Sequence, residues 1–262
     1  MTERRTIIWF RNDLRLHDHE VLALLADTVQ VLVPVYCLDP AQFEIQPSGF
    51  PLTGPLRTRF LVECLEDLRE GLEARSSGLH VVLGQPEKVI PALAQTLGVR
   101  EVFAERDVLG EAVKVERRLA AALEPLGVSL RGFRVSTLVH PDDLPFPAAN
   151  LPESFAQFQD AVTVSGEPRA PLPPLQKLPA YPDGLNTPTL ATLVQALGLA
   201  AVSDPGQQTG FKGGATVAVA RLEELGLETL QPIAGQEALE GEAALGVLVQ
   251  RLVGEPGEIV RR

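Results

Sequence analysis

Cysteine, tryptophan and methionine are scarce in this chain of 262 residues, which contains two cysteines, one tryptophan and one methionine. Cys37 and Cys64 lack the CxxC spacing of redox and metal-binding motifs. Cys37 falls in a strand pattern and Cys64 on the apolar face of a helix pattern. We therefore expect two inert, buried thiols in a reducing compartment.

Long apolar runs and an excess of basic residues are also missing. No apolar segment approaches the length of a membrane span, and residues 1–5 are polar, without the features of a signal peptide. We expect a cytoplasmic protein without membrane contact. The formal net charge of −11 argues against a broad basic surface that binds nucleic acid, but it does not exclude a local basic groove.

Several catalytic motifs are absent as well. The sequence has no GxSxG, GxGxxG or P-loop motif. It therefore lacks the motifs that would indicate a hydrolase, a dinucleotide-binding protein or an NTPase. His17 and His19 flank Asp18 and superficially suggest a metal site. No further ligand clusters with them, so a solvated turn is the favoured interpretation, and we predict no metal site.

Strand and helix patterns alternate through the first half of the chain. The predicted strands are 6–10, 29–36, 79–83, Glu101–Glu105 and 128–133, and the predicted helices between them include 58–72, 87–97 and Gly110–Leu123. This order predicts an α/β fold with a five-stranded, parallel, doubly wound sheet of Rossmann-like type. Pro34 cannot donate a ladder hydrogen bond, so we expect a bulge or another irregularity within the second strand.

The first strand ends in a cluster of charges. Arg11, Asp13 and Arg15 follow the apolar residues 6–10, and Asp18 then stands where a helix N-cap is expected. Open α/β sheets bind ligands at the carboxyl ends of their strands. A strand followed by a solvated, salt-bridged turn is the structural alternative.

The second half changes character because prolines are dense between Pro141 and Pro188. We predict an α/β domain over 1–135, a proline-rich connector over 136–188 and a short helical region over 189–262. The predicted helices in these parts are 153–162, with Phe155 and Phe158 inward, and 189–197, 215–225 and 242–252.

The word WFRNDLRLHD, residues 9–18, closely resembles the opening of the DNA photolyase/cryptochrome family. The resemblance continues through VPVYCLDP at 33–40, GPLRTRFL at 54–61, VFAERD at 102–107, and FKGG at 211–214 followed by ARL at 220–222. The words TLVHPDDLPF at 137–146 and NLPESFAQF at 150–158 are similar to DASH-type cryptochromes. No single word decides the assignment, but their order and spacing do.

The resemblance fades beyond Leu225, and Ala215 stands where the family usually has Glu. The family implies a large helical domain that holds FAD and a tryptophan chain, but its flavin-binding words do not occur here. We therefore expect the light-harvesting domain of a light-dependent DNA-repair enzyme or blue-light receptor, without repair by this chain alone. Whether the chain is an enzyme is left open. DNA is expected as a partner only if another chain supplies an FAD domain, and oligomeric state is left open.

The resemblance also implies an antenna chromophore, either methenyltetrahydrofolate or a flavin-type pigment such as FMN or a deazaflavin. Glu111 matches a family glutamate that binds the pterin ring, although a first-turn glutamate also suits the helix dipole. The other candidate residues follow the first, second and fourth strands: Arg11, Asn12, Asp13, Tyr36, Leu38, Asp39 and Arg106. Two alternatives are a stand-alone module that binds a pigment or nucleotide, and a non-functional remnant.

Overall fold

Strand and helix alternate in the computed structural model, which describes residues 3–107, 110–134, 137, 139–147, 150–165, 169–185, 187–198 and 212–224. The strands are β1 (Arg5–Phe10), β2 (Val31–Leu38), β3 (His80–Leu83), β4 (Glu101–Glu105) and β5 (Ser129–Phe133). The helices are α1 (Glu20–Ala26), α2 (Pro55–Glu73), α3 (Pro86–Leu97), α4 (Gly110–Leu123), α5 (Phe155–Ser165), α6 (Leu190–Ala196) and α7 (Ala215–Glu224).

The sheet has five parallel strands in the order β3-β2-β1-β4-β5. The chain moves outward from β1 through β2 to β3, and then returns to the other side of β1 for β4 and β5. The strand order therefore reverses between β1 and β4, which is where open α/β sheets form a ligand crevice. The predicted parallel fold, with the first strand at the centre, is confirmed.

Alternation along β1 divides the core into two layers. Ile8 and Phe10 pack with buried residues of α1 and α2 on one face of the sheet. Ile7 and Trp9 pack with buried residues of α3 and α4 on the other face. Because a strand buried on both faces needs apolar residues at every position, this arrangement explains the unbroken apolar run of β1.

The prediction of a bulge at Pro34 is wrong. Pro34 pairs with Ile8 in an uninterrupted register that runs from Val31 to Tyr36. Leu32 donates its backbone N–H to the carbonyl of Ala180 on the side of β2 that faces away from β1. By the alternation of strand backbone groups, residue 34 faces the same side, and β3 pairs there only from Val35 onward. The sheet therefore needs no donor from Pro34.

The N-cap of α1 also differs from the prediction. His19 is the N-cap residue, and its Nδ1 accepts a hydrogen bond from the backbone N–H of Leu22 at 3.3 Å. Asp18 instead adopts a left-handed backbone conformation, with φ of 44°. The Asp18 carboxylate accepts a hydrogen bond from the N–H of Leu172 at 3.0 Å. It therefore ties the turn to the proline-rich segment instead of starting the helix.

The proline-rich segment is mostly irregular and packs against the sheet domain, as expected. Leu178 lies in the core cluster that contains α1 and α2, together with Leu190 of α6. Phe155 was predicted to face inward but is 73% exposed, whereas the Phe158 ring lies 5.6 Å from the Phe146 ring at a tilted angle of 54°. The predicted helix 242–252 lies outside the described residues, and the division of the chain at 135 and 188 stays a prediction.

Candidate functional site

A cleft of about 510 Å³ opens at the carboxyl ends of β1 and β2, between the N-terminal parts of α2 and α4. Its apolar walls come from both core layers and from the loop before α2. These residues are Trp9, Phe10, Leu14, Tyr36, Leu52, Phe60, Leu61 and Val115. The polar groups on the walls are fewer, so the cleft combines an aromatic-rich interior with a small set of polar groups that can orient a ligand, as small-molecule sites do.

Arg11 forms part of the cleft wall where β1 ends, and several contacts hold its side chain in place. Its guanidinium donates to the carboxylate of Glu116 on α4 and to the carbonyl oxygen of Glu105 at 3.1 Å. The same group lies 4.8 Å from the centre of the Trp9 ring. These contacts hold Arg11 in place between β1, β4 and α4, so its charge is largely neutralised before any ligand arrives.

Asp13 does not line the cleft but sits in a buried pair beneath it. Asp13 Oδ2 lies 3.1 Å from His19 Nε2, and Asp13 Oδ1 accepts the backbone N–H of Arg11 at 2.8 Å. Because His19 Nδ1 accepts the N–H of Leu22, the ring N–H that faces Asp13 is on Nε2. Burial raises the pKa of Asp13, but the hydrogen bonds from His19 and from the Arg11 backbone, together with the charge of Arg15, outweigh it and lower the pKa overall.

The end of β2 contributes two of the three predicted residues to the cleft. Tyr36 lines it from the strand, and burial raises the pKa of its phenol. Asp39 also lines it, while its Oδ1 accepts the N–H of Ala41 at 3.0 Å and caps the short turn Pro40–Gln42. Leu38 belongs to the hydrophobic core instead of the cleft.

Glu111 lies at the mouth of the cleft, at the start of α4, beside the cleft residues Ala112 and Val115. Its two oxygens accept hydrogen bonds from Arg118 at 2.9 Å and from Lys114 at 3.1 Å. These bonds lower the pKa of Glu111, whose side chain is 64% exposed. The residue therefore combines a cleft-lining position with surface ion pairs, and its role as a ring anchor stays a prediction.

Asn12 lines the same cleft next to Arg11, whereas Arg106 lies elsewhere. Arg106 borders a second cavity, of about 450 Å³, between α4 and the ends of β4 and β5. The structure therefore brings together Arg11, Asn12, Tyr36, Asp39 and Glu111, and places Asp13, Leu38 and Arg106 outside the cleft.

Sequence analysis missed the contribution of the loop before α2. Thr53 and Arg57 both line the cleft, on either side of the helix start at Pro55. The dipeptide Gly54-Pro55 is typical of a helix N-terminus and could have marked this segment. The local sequence does not show that this loop folds back toward the end of β2. There the Thr53 N–H donates to the Gln42 carbonyl oxygen at 2.8 Å.

Helix α7 closes one rim of the cleft. The backbone N–H of Gly213 donates to Glu63 at 2.6 Å, and that of Thr216 donates to Asp67 at 3.2 Å. These carboxylates of α2 stand at the N-terminus of α7, where the helix dipole favours negative charge. Gly214 and Ala215 consequently line the cleft beside Cys64. Burial raises the pKa of the Cys64 thiol to about 11.

Within the part of the chain that the structure describes, no group of at least three His, Cys, Asp or Glu side chains is arranged to hold a metal ion. No helix among the described residues combines the length and apolarity that crossing a membrane requires.

Comparison with known proteins identifies the family. The family model for DNA photolyase matches residues 6–179. The chain is 45% identical over 227 residues to Cryptochrome DASH of Gloeobacter violaceus, covering 86% of this chain and 45% of that protein. It is 43% identical over 159 residues to the blue-light photoreceptor PHR2 of Arabidopsis thaliana, covering 61% of this chain and 36% of that protein.

Solved structures agree with this result. The cryptochrome of Synechocystis sp. PCC6803 superposes with a TM-score of 0.73 at 34% identity, covering 86% of this chain and 46% of that one. A class III photolyase from Agrobacterium tumefaciens shares the fold, with a TM-score of 0.67 at 22% identity, covering 100% of this chain and 53% of that one. The chain spans less than half the length of the curated relatives it matches. It therefore belongs to the DNA photolyase/cryptochrome family, as a DASH-type member represented by the photolyase N-terminal α/β domain.

Proposed function

We propose that this domain binds a light-harvesting chromophore in the cleft at the carboxyl ends of β1 and β2. When bound, the chromophore supplies light absorption and passes its excitation energy to FAD. The observation that carries the proposal is the cleft itself, which places Trp9, Phe10 and Tyr36 around about 510 Å³ at the reversal of strand order.

The residues present suit a planar, partly polar ring. The aromatic and aliphatic walls offer apolar contact to its faces, and aromatic pairs favour offset or edge contacts beyond simple burial. Asn12 offers both a donor and an acceptor to a heterocycle edge. This combination supports a flavin-type ring, such as FMN or a deazaflavin, lying within the α/β domain.

The chemistry of the cleft also suits energy transfer better than group transfer. The pKa of the Tyr36 phenol and that of the Cys64 thiol are both raised by burial, so both groups are neutral at pH 7. A neutral buried thiol is a poor nucleophile, because the thiolate is the reactive species. In this proposal the described residues of the cleft bind and orient the ring, and provide no acid, base or nucleophile.

The whole protein would then serve light-dependent DNA repair or blue-light sensing. Its second partner would be an FAD-containing helical domain, and DNA would be bound through that domain. The net charge of −11 supports this division, because binding to phosphates depends on Lys and Arg that neutralise them.

Titration of the purified domain with FMN, an 8-hydroxy-5-deazaflavin and methenyltetrahydrofolate tests the proposal. Ligand fluorescence and absorption report binding. Ala112→Trp fills the cleft from α4 and should weaken flavin binding more than about tenfold, which corresponds to about 1.4 kcal/mol. Ala121→Trp is the matched control, because Ala121 is an exposed residue of the same helix that does not line the cleft.

Flavin or deazaflavin binding that Ala112→Trp abolishes and Ala121→Trp retains supports the proposal. Equal binding by both variants, or no binding of any of the three pigments, overturns it. The pterin is the second candidate, because Glu111 lies at the mouth of the cleft with a carboxylate suited to an aminopyrimidinone edge. Binding of the folate alone would favour that candidate over a flavin.

A further inference from the structure

The second cavity lies at the β5 edge of the sheet, between α4 and the ends of β4 and β5. Alternation along the two strands sets which side chains reach it. Ala104 of β4 faces the core layer under α4, and Arg106, two residues further on, lines the cavity on the same face. On β5, Leu130 packs against that layer, and Arg134 continues the alternation beyond Gly132. Two arginines thus reach one side of the sheet from adjacent strands.

Gly132 provides the space in which Arg106 lies. It pairs with Ala104 of β4, and a Cβ at this position would lie 2.3 Å from both Cγ and Nε of Arg106. The Arg106 side chain therefore crosses β5 directly over the glycine. Val113 and Ala120 line the cavity from α4, and these small side chains leave a volume of about 450 Å³. A cavity of this size suits a small organic ligand, since ligand sites commonly measure about 300–1,000 Å³.

The cavity carries positive charge that has no partner. Three arginines border it: Arg106, Arg117 and Arg134. None of them forms a salt bridge or a side-chain hydrogen bond with another described residue. Arg117 belongs to α4, so the three guanidiniums come from three different elements of the fold. Like charges around one cavity repel each other, and a bound anion would relieve that repulsion.

The acidic residues on the wall do not neutralise these arginines. Glu116 accepts hydrogen bonds from the Arg11 guanidinium and from the backbone N–H of Asp107. The Asp107 carboxylate lies 4.0 Å from the same Arg11 guanidinium. Glu105 follows Ala104, whose side chain packs under α4, so the Glu105 side chain points to the opposite face of the sheet. The positive charge of the cavity is therefore left for a ligand.

We propose that the second cavity binds a phosphorylated small molecule of nucleotide size. A guanidinium presents paired N–H donors that match phosphate oxygens, and three guanidiniums suit a ligand with more than one phosphate group. The apolar part of the wall, which includes Val113, Ala120 and Leu130, offers contact to the organic part of the ligand. Different residues of α4 line this cavity and the chromophore cleft, so the proposal does not depend on chromophore binding.

ADP and adenosine test the proposal, because they share the base and the ribose and differ in the diphosphate. Isothermal titration calorimetry measures both affinities on the full chain at constant ionic strength. We expect the parent to bind ADP at least about tenfold more tightly than adenosine, as for charge-assisted contacts. Arg106→Gln and Arg134→Gln should each lower the ADP affinity about tenfold and leave the adenosine affinity unchanged.

Each kind of variant has a matched control. Arg100→Gln removes an exposed arginine that precedes β4 and does not line the cavity, so it should leave the ADP affinity unchanged. Ala120→Trp fills the cavity from α4 and should abolish ADP binding, whereas Ala121→Trp, at the next and exposed position, should retain it. Loss of ADP binding in Arg106→Gln and Ala120→Trp, with binding retained in both controls, supports the site.

Equal binding of ADP and adenosine, or no binding of either, overturns the proposal. An ADP affinity that Arg106→Gln and Arg100→Gln lower equally also overturns it, because the effect would then come from the overall charge of the protein. Stronger displacement of ADP by a short single-stranded oligonucleotide, at equal phosphate concentration, would overturn the small-molecule assignment in favour of a nucleic-acid backbone. Circular dichroism of every variant distinguishes lost binding from a lost fold.

Discussion

His19 Nε2 lies 3.1 Å from Asp13 Oδ2, and each side chain is at most 2% exposed. This pair ties the end of β1 to the start of α1, because Asp13 also accepts the N–H of Arg11 and His19 also caps α1. The residues that follow β1 line the cleft, so the buried pair beneath them sets the position of Arg11 and Asn12. We therefore assign Asp13 a structural role within the candidate site.

Asp13→Asn should destabilise the domain. The substitution removes the charge that faces the His19 N–H, and hydrogen bonds to charged groups contribute about 1.5–3 kcal/mol. Urea unfolding followed by circular dichroism measures the loss. Asp142→Asn is the matched control, because Asp142 also lies near a histidine, His140, but its side chain is 83% exposed. That control should change the free energy of unfolding by less than about 0.5 kcal/mol. Equal effects of the two substitutions would contradict the prediction.

The contribution of Asp13 to stability should disappear in acid. The pKa of Asp13 is lower in the folded protein than its ordinary value of 3.8, so the unfolded state binds the proton first as pH falls. The stabilisation is complete above that ordinary value and is lost as pH falls through the folded pKa. The difference in unfolding free energy between the parent and Asp13→Asn should therefore shrink as pH falls below about 4. A difference that grows in acid would be inconsistent with this sign.

His17 should make the domain less stable in mild acid. Burial, with a smaller effect of the Arg15 charge, lowers the pKa of His17 to about 4 from its ordinary value of 6.5. Between pH 6.5 and 4, His17 is therefore protonated in the unfolded state but not in the folded state. The free energy of unfolding consequently falls as pH falls through this range. His17→Gln should flatten this part of the stability profile, whereas His140→Gln, which leaves His17 in place, should retain the slope. An unchanged slope in His17→Gln would refute the assignment.

The attachment of α7 to α2 should depend on Gly213. A Cβ at this position would lie 2.4 Å from the backbone carbonyl oxygen of Phe60, which cannot move aside cheaply. Gly213→Ala should therefore break the hydrogen bond from residue 213 to Glu63 and release the start of α7. Hydrogen exchange measures this as faster exchange of the Thr216 amide. Gly54→Ala is the control, because a Cβ at Gly54 would meet no atom within 4 Å. Unchanged Thr216 protection in Gly213→Ala would count against the prediction.

The sheet was predictable because its signal is local. The apolar run of β1, buried on both faces, and the alternation of strand and helix patterns leave few right-handed topologies. The prediction of a bulge at Pro34 was wrong because the missing backbone N–H disturbs a strand only where a neighbouring strand would accept a hydrogen bond from it. Whether β3 or the connector residue Ala180 lies beside Pro34 is decided by the tertiary fold.

The cleft was also predictable in part, because the ends of its strands can be recognised from the local sequence. Arg11, Tyr36 and Asp39 follow strands, and the carboxyl ends of parallel strands meet at one edge of the sheet. Thr53 and Arg57 were missed because a loop of irregular sequence brings them back to that edge. Asp13 was a candidate site residue because charge at a strand end predicts a ligand site, but sequence does not distinguish an exposed carboxylate from one buried against His19.

Glu111→Gln tests the pterin candidate. If Glu111 anchors the amino edge of the ring, the substitution replaces one acceptor oxygen by an NH₂ group that opposes a ring N–H. A mismatched, partly buried polar pair costs about 1–3 kcal/mol, so the affinity for methenyltetrahydrofolate should fall about tenfold to a hundredfold. The near-ultraviolet band of the bound folate measures occupancy. Glu124→Gln, at an exposed residue just beyond α4, should leave the band unchanged. Tight folate binding by both the parent and Glu111→Gln would show that the ring is held by other residues, because the carboxylate would then be dispensable.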